Sequence, residues 1–300
     1  MSWRARSLLA TSRLDLPNRQ SDGDSLQTED TTVKNCASDA SELPRAVTRT
    51  SRRYMPFIAL GMALLCMLSA CEAEAPAQSV ATSSRTARIM PLGDSITESS
   101  KGRSSYRYYL WKLALARGYR IDLVGSQHGV ARGAPLHSDF DMDHEGHSGW
   151  RADEILAQIA TWSTQTRPDF VLIHLGHNDL CQGQSVQSTV DELGAIIDTL
   201  RGANARVVIF LAQVIASAAP CHSQIPVLNA QLLPLAEAKR LPLSPVVIVD
   251  QHSNFDPNAM THDRVHPNAA GESQMADRWM ASLSPFLDGF FGNPLPSSGG

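Results

Sequence analysis

Two segments, Asp169–Leu175 and Arg206–Ala212, are apolar almost from end to end, without the polar–apolar alternation of a half-exposed strand. Short runs of that kind fit strands buried on both faces, the condition of a parallel sheet covered by helices. The intervening sequence supplies those helices. Tyr106–Arg117 places Tyr109, Leu110, Leu113 and Ala114 on one face, and Ala152–Ser163 does the same with Ile155, Ile159 and Trp162. Val186–Leu200 is a further amphipathic segment. Ala87–Leu92, Ile121–Gly125 and Val246–Val249 read as strands, and Ile225–Lys239 and Ala269–Leu283 as helices. Pro226 suits a first helical turn, whereas Pro234 should bend or interrupt its helix. The alternation predicts an α/β domain with a mainly parallel central sheet between helical layers, and working loops beyond the carboxyl ends of the strands.

The 300 residues allow one sizeable domain with appendages, or at most two small ones. A composition of 43% apolar and 19% charged residues is globular, and the formal net charge is -4. The first 71 residues carry more basic than acidic groups, so the remainder is more acidic still. No basic stretch interleaves with aromatic residues, which argues against nucleic acid as a partner.

Residues 1–50 are rich in Ser, Thr, Asp and Arg without a sustained period. They read as disorder or as translated sequence upstream of the true start. Arg49, Arg52 and Arg53 then precede the apolar stretch Pro56–Ala70, which is short for a bilayer span. A basic flank before a short apolar core describes an export signal, here over 51–71. A small, polar linker, 72–86, separates it from the expected catalytic domain at 87–284, and 285–300 reads as a tail in which Phe286, Phe290 and Phe291 are available to pack on the body.

Of five cysteines, Cys36 and Cys66 would leave with the leader. Cys181 and Cys221 remain as an even pair, each a few residues beyond a strand end, and a disulfide between neighbouring loops is expected in an oxidising compartment. Two free buried thiols are the alternative. Neither lies at metal-ligand spacing from other Cys or His residues, so His222 beside Cys221 does not make a zinc site, and no metal or cofactor is expected.

Three polar segments interrupt the scaffold where chemistry would sit. Gly93-Asp94-Ser95-Ile96 follows the first strand, Gly176-His177-Asn178-Asp179 follows another, and Asp263-Arg264-Val265-His266 lies near the C-terminus. A serine hydroxyl needs a base to take its proton, and the base needs a carboxylate to fix its tautomer. Ser95 is the candidate nucleophile, His266 the base and Asp263 its carboxylate. An acyl-transfer site also needs donors aimed at the developing oxyanion, each worth roughly 3 kcal/mol in the transition state. The Asn178 amide and the backbone N–H groups of Ser95 and Gly149 fit that need, Gly149 lying in His144-Glu145-Gly146-His147-Ser148-Gly149-Trp150.

Ser95, Gly149, Asn178 and His266, in that order, resemble the four blocks of the SGNH (GDSL-type) hydrolase superfamily. The resemblance implies a flavodoxin-like three-layer α/β/α fold and ester hydrolysis, with the roles just given and Asp263 completing the triad. The His144–Trp150 stretch beside Gly-Asp-Ser-Ile-Thr more narrowly resembles carbohydrate esterase family three, which implies activity like that of acetyl xylan esterases. Leu68-Ser69-Ala70-Cys71 resembles the lipobox of bacterial lipoproteins, which implies lipidation at Cys71 and a membrane contact made by that anchor alone.

Around this set, Trp150, Arg151 and His177 are candidates for meeting substrate, with bracing of the loop the alternative for Arg151 and covering of the strand end the favoured alternative for His177. Asp94 should hold the nucleophile turn and Asp179 should brace its loop. Trp111, Trp162 and Trp279 read as core, and His128, His137, His144 and His147 as solvent-facing loop residues. The leading expectation is an exported, monomeric carbohydrate O-deacetylase. A lipid-directed esterase or lysophospholipase on the same scaffold, and a surface carbohydrate-binding protein with a silent site, are the alternatives.

Overall fold

A computed structural model describes residues 85–292. The segment 1–50, the apolar segment with Cys71, nearly all of the linker and the end of the tail lie outside the described residues.

The chain alternates as the hydrophobic pattern requires. Strands β1 (Ala87–Gly93), β2 (Ile121–Leu123), β5 (Phe170–His174), β6 (Val208–Gln213) and β7 (Val246–Asp250) are mutually parallel along the pairs β2–β1–β5–β6–β7. Two short strands that periodicity does not show complete the seven-stranded sheet, β3 (Gln127–His128) and β4 (Asp143–Gly146). β2 pairs with the first half of β1, and β4 takes over the same edge at Leu92 and Gly93, with β3 antiparallel beyond it. β5 has no exposed residue, as expected of a central strand covered on both sides.

Helices close both faces. On one side α3 (Ala152–Thr166), α5 (Val186–Ala203) and α6 (Ile225–Ala238) bury Ile155, Ile159, Leu193, Ile197 and Leu228 against Val171, Ile173 and Leu211. On the other, α2 (Ser105–Ala116) and α8 (Ala269–Phe291) bury Leu110, Met275, Trp279 and Leu283 against Ile89, Leu172 and Phe210. The result is the three-layer α/β/α arrangement of the flavodoxin-like SGNH fold. At roughly 1.5–3 kcal/mol per buried large aliphatic or aromatic side chain, these two layers supply the main stabilising term.

Pro234 does not interrupt its helix, and the last helix is longer than the pattern predicts. α6 runs through Pro234, and α8 runs through Pro285 to Phe291 instead of ending at Leu283. An internal proline costs about 3 kcal/mol. In α8 the last two turns offset this cost by burying Leu287 fully and packing Phe286, Phe290 and Phe291 on the same core. The buried face of α2 is also turned from expectation. It carries Tyr106, Arg107, Leu110 and Ala114, while Tyr109 and Leu113 sit at its margin.

The carboxyl ends of the strands collect the working loops. α1 (Ser95–Glu98) starts two residues past the end of β1, α4 (His177–Cys181) shortly past β5, and a 3₁₀ turn at Pro220–His222 lies past β6. The segment beyond β7 contains α7 (Pro257–Met260) and then Asp263 and His266. The first of these turns is tight: a Cβ on Gly93 would stand 2.4 Å from Thr97 Oγ1 and 2.5 Å from the His174 carbonyl, so only glycine lets β1 turn into α1 here.

Candidate active site

Ser95 opens α1, and Asp94 caps it by accepting the Ile96 N–H at 2.9 Å. Asp94 is fully buried, and burial pushes its carboxyl up to about 7 against the lowering influences of that bond and of His266. Among the described residues its Oδ2 has no hydrogen-bond partner.

Ser95 Oγ lies 2.8 Å from His266 Nε2, and His266 Nδ1 lies 2.7 Å from Asp263 Oδ2. The chain separates nucleophile and base by 171 positions, yet a single turn sets base and carboxylate. Asp263 Oδ1 accepts the N–H groups of Val265 and His266 at 3.0 and 2.7 Å, which fixes the carboxylate rotamer and leaves Oδ2 to the imidazole. Burial opposes ionisation of Asp263, but these bonds from His266 and Val265 outweigh it and hold the carboxyl down to about 2. Arg264, between them, has a left-handed backbone (φ +76°). Its carbonyl is held by the Ala218 N–H at 2.9 Å and the Ser217 hydroxyl at 3.0 Å, which offsets the strain of that conformation.

Gly149 and Asn178 come to the cavity from the β4–α3 loop and α4. Gly149 adopts φ +84°, a conformation glycine tolerates, and a Cβ there would meet nothing, so backbone geometry and not space requires it. The Asn178 amide donates one hydrogen to the Trp150 carbonyl at 2.9 Å, leaving its second N–H for the cavity it lines. Gln182 donates to the Gly149 carbonyl at 2.7 Å, and Arg151 in turn donates to Gln182 at 2.7 Å and to Asp153 at 2.9 Å. From the other side the Glu98 carboxylate accepts the Ser148 N–H at 2.7 Å and the Ser148 hydroxyl. Asp179 accepts the Ala152 N–H at the start of α3, and burial pushes its carboxyl up to about 6. Arg151 and Asp179 thus brace the loop.

Ser95, His266, Asp263, Gly149, Asn178 and His177 share one cavity of about 550 Å³. His177 is buried, and its Nε2 lies 3.1 Å from the Ile215 carbonyl. Desolvation and the neighbouring His174 and His222 hold it well below the ordinary histidine range, so it is neutral and donates Nε2–H to that carbonyl. It both covers the strand end and lines the cavity. Trp150 does not line the cavity; it stacks on His147, which stacks in turn on Trp162, each pair with ring centroids 4.5 Å apart.

That stack corrects the reading of His144 and His147 as solvent-facing. Both are buried, His147 with Nε2 2.7 Å from the buried Glu145 carboxylate and His144 accepting the Gly146 N–H at Nδ1, 2.9 Å away. Burial and the nearby Arg107 hold His144 down to about 2, so it is neutral. A polar sequence stretch reads as exposed because nothing in it reveals that its polar groups satisfy one another.

The disulfide Cys181–Cys221 is present, joining the end of α4 to the 3₁₀ turn at a Cα separation of 4.8 Å. It forms part of the cavity wall beside Asn178.

One residue that shapes the site was not singled out from the sequence. Arg107 of α2 is fully buried and meets four backbone carbonyls instead of a carboxylate: Thr97 at 2.9 Å, Glu98 at 3.0 Å, Gly129 at 2.6 Å and Met142 at 2.8 Å. It binds the end of the nucleophile helix to the segment between β3 and β4. Burial lowers its pKa to about 10, leaving it charged at neutral pH. A basic residue inside an otherwise apolar helix face, at Tyr106-Arg107-Leu110, is the signal that would have found it.

A hydrogen-bonded Ser–His–Asp relay at the carboxyl edge of a mainly parallel sheet defines a serine ester hydrolase. The chain belongs to the GDSL-like lipase/acylhydrolase family, whose model matches residues 92–273. It is similar to a family 3 carbohydrate esterase of Clostridium thermocellum, at 31% identity over 69% of this chain and 100% of that one, with a TM-score of 0.60. A carbohydrate esterase family 3 structure from Talaromyces cellulolyticus matches at 28% identity over 68% of this chain and 99% of that one, with a TM-score of 0.62. A multidomain esterase of Ruminococcus flavefaciens is 25% identical over 252 residues, 77% of this chain; the chain spans 33% of that protein's length.

Proposed function

We propose that this protein removes O-acetyl groups from a carbohydrate, acetylated xylan or a related polysaccharide, through an acyl-enzyme on Ser95. The observation that carries the reading is the continuous relay Asp263–His266–Ser95 opening into a cavity beside Gly149 and Asn178. Ser95 Oγ attacks the acetyl carbonyl while His266 Nε2 takes its proton. The backbone N–H groups of Ser95 and Gly149 and the free N–H of Asn178 receive the oxyanion. His266 then gives the proton to the sugar oxygen as its bond to the acyl carbon breaks, and water, activated by the same imidazole, releases acetate.

The choice of a small acyl group over a lipid chain is supported by the cavity wall. Ile96 and Val265 are its largest apolar side chains, the rest being mainly short or polar. The family 3 carbohydrate esterases named above support a carbohydrate as the alcohol. Arg151 and Asp179 act in this reading through the loop they brace, Trp150 by stiffening it. A disulfide at the cavity edge supports an exported protein, and the leader reading adds an anchor at Cys71, testable by intact mass of the membrane fraction.

Acetate release from acetylated xylan and from acetyl through long-chain aryl esters, with Ser95→Ala as blank, tests the proposal. Serine-dependent release favouring acetyl groups on the glycan is the expected outcome. A preference for long acyl chains would overturn it in favour of the lipid esterase.

A further inference from the structure

Beside the relay stands a second imidazole that the proposed reaction does not use. His262 lies in the same turn, its ring stacked toward His266 with centroids 5.9 Å apart. The turn is rigid: Thr261 and Pro267 form a bridge, the His262 N–H donates to the His266 carbonyl at 3.0 Å, and Asp263 is fixed by its two backbone bonds.

The hydrogen positions on His262 follow from its neighbours. Nδ1 lies 3.3 Å from the Pro267 carbonyl, which only accepts, so Nδ1 carries the hydrogen. In the neutral ring Nε2 then presents a lone pair toward Asp263 Oδ2, 3.6 Å away. Two acceptors facing each other repel, and a cation held between them removes the conflict. A histidine whose far nitrogen donates to a backbone carbonyl is also the usual outer-sphere arrangement of a metal ligand.

We propose that His262 Nε2, Asp263 Oδ2 and His266 Nδ1 form an inhibitory site for zinc or a similar borderline transition-metal ion. Zinc binds imidazole nitrogen and carboxylate oxygen at about 2.0–2.2 Å, which places two ligand atoms of a tetrahedral ion about 3.3 Å apart. The observed separations, 3.6 Å from His262 and 2.7 Å from His266 to the shared oxygen, bracket that figure, and all three atoms lie within 4.8 Å of one another. A few tenths of an ångström at His266 suffices. Magnesium and calcium, which seek more oxygen ligands, do not fit the set.

Occupancy stops the reaction by a tautomer change that conserves protons. In the working relay His266 carries its hydrogen on Nδ1 and offers the Nε2 lone pair to Ser95. Metal bound at Nδ1 transfers that hydrogen to Nε2, so the ring faces the serine with a donor and no longer takes its proton. The same ion removes Asp263 from the imidazole. Acid competes with the metal at both rings.

The inhibitory consequence rests on the esterase reading above, but metal occupancy does not, and the experiment separates the two. Zinc is titrated into the purified protein while aryl acetate hydrolysis is followed, each rate being normalised to the same protein without zinc. Half-inhibition in the micromolar range, reversed by chelator and not produced by magnesium, is expected, with the zinc requirement raised tenfold or more in His262→Gln. Occupancy is read separately from the visible absorption of cobalt(II) bound to Ser95→Ala, which should show a tetrahedral signature that His262→Gln in the same background lacks. An unchanged zinc requirement in His262→Gln, or an unchanged cobalt spectrum, overturns the site. A cobalt signature that needs His262, in a protein without esterase activity, upholds the site and rejects the esterase reading.

Discussion

Opening the Cys181–Cys221 disulfide perturbs stability and catalysis by two separable routes. The bond closes a loop over a sequence separation of 40 residues. In the chain-entropy description that loop restricts the unfolded state by about 13 cal/mol/K, or about 4 kcal/mol at room temperature. For a domain of this size the loss corresponds to a melting temperature lower by roughly 8–16 °C. The reduced unfolded chain is also less constrained and exposes more surface, so the denaturant slope should rise as the midpoint falls. The second route is local, since α4 carries Asn178 and the disulfide is its tether to the 3₁₀ turn; kcat should fall more than KM rises. Guanidinium unfolding of oxidised protein, of protein reduced and alkylated, and of Cys181→Ser/Cys221→Ser measures the first route, and ester kinetics on the same samples the second. An unchanged midpoint and slope would refute the loop-entropy argument. A lowered midpoint with unchanged kcat would leave the stability argument standing and refute the claim that the tether positions Asn178.

Arg107→Met keeps the volume of the helix face but leaves four carbonyls without their donor. At about 1 kcal/mol or more for each, a loss of roughly 4 kcal/mol in urea unfolding is expected, with reduced kcat because the end of α1 is released. Asp94→Asn retains the acceptor for the Ile96 N–H while removing a carboxyl whose folded pKa is raised to about 7 from 3.8. A carboxyl raised on folding stabilises most at low pH, and that contribution is lost as pH rises from about 4 to about 7. The variant should therefore gain on wild type across that window, by at most about 1.4 kcal/mol per pH unit, as seen in urea midpoints at pH 4.5 and 7.5. A difference independent of pH would show that Asp94 is not the titrating group.

What was legible in the chain is what hydrophobic pattern encodes. β5 and β6 announce themselves because both faces are covered, and α3 and α5 because one face is. β4 escaped for the opposite reason: its buried residues are His144, Glu145 and Gly146, and burial of the Glu145 carboxylate depends on Ser126 and His147, which meet it only in the fold. The passage of α8 through Pro285 depends likewise on tertiary packing of Leu287 and Phe290. Ser95, Asp263 and His266 were identifiable from residue type and order, and their convergence follows from the rule that loops gather at one edge of a parallel sheet. The second imidazole at His262 was visible as a residue, but its lone pair follows only from the Pro267 carbonyl opposite it.

Both ends of the relay connect to one pair of helices, α2 and α8. Asp263 and His266 immediately precede α8, whose Trp279 lies against Tyr106 of α2 with ring centroids 6.1 Å apart, and Tyr106 hydrogen-bonds Thr97 two residues past the nucleophile. If heat loosens this pair before the sheet and the opposite helical layer, Ser95 is drawn away from its base in a fold still largely intact. Loss of turnover then reports the slackening of one joint, and a thermal inactivation curve should run below the melting curve of the fold that carries it.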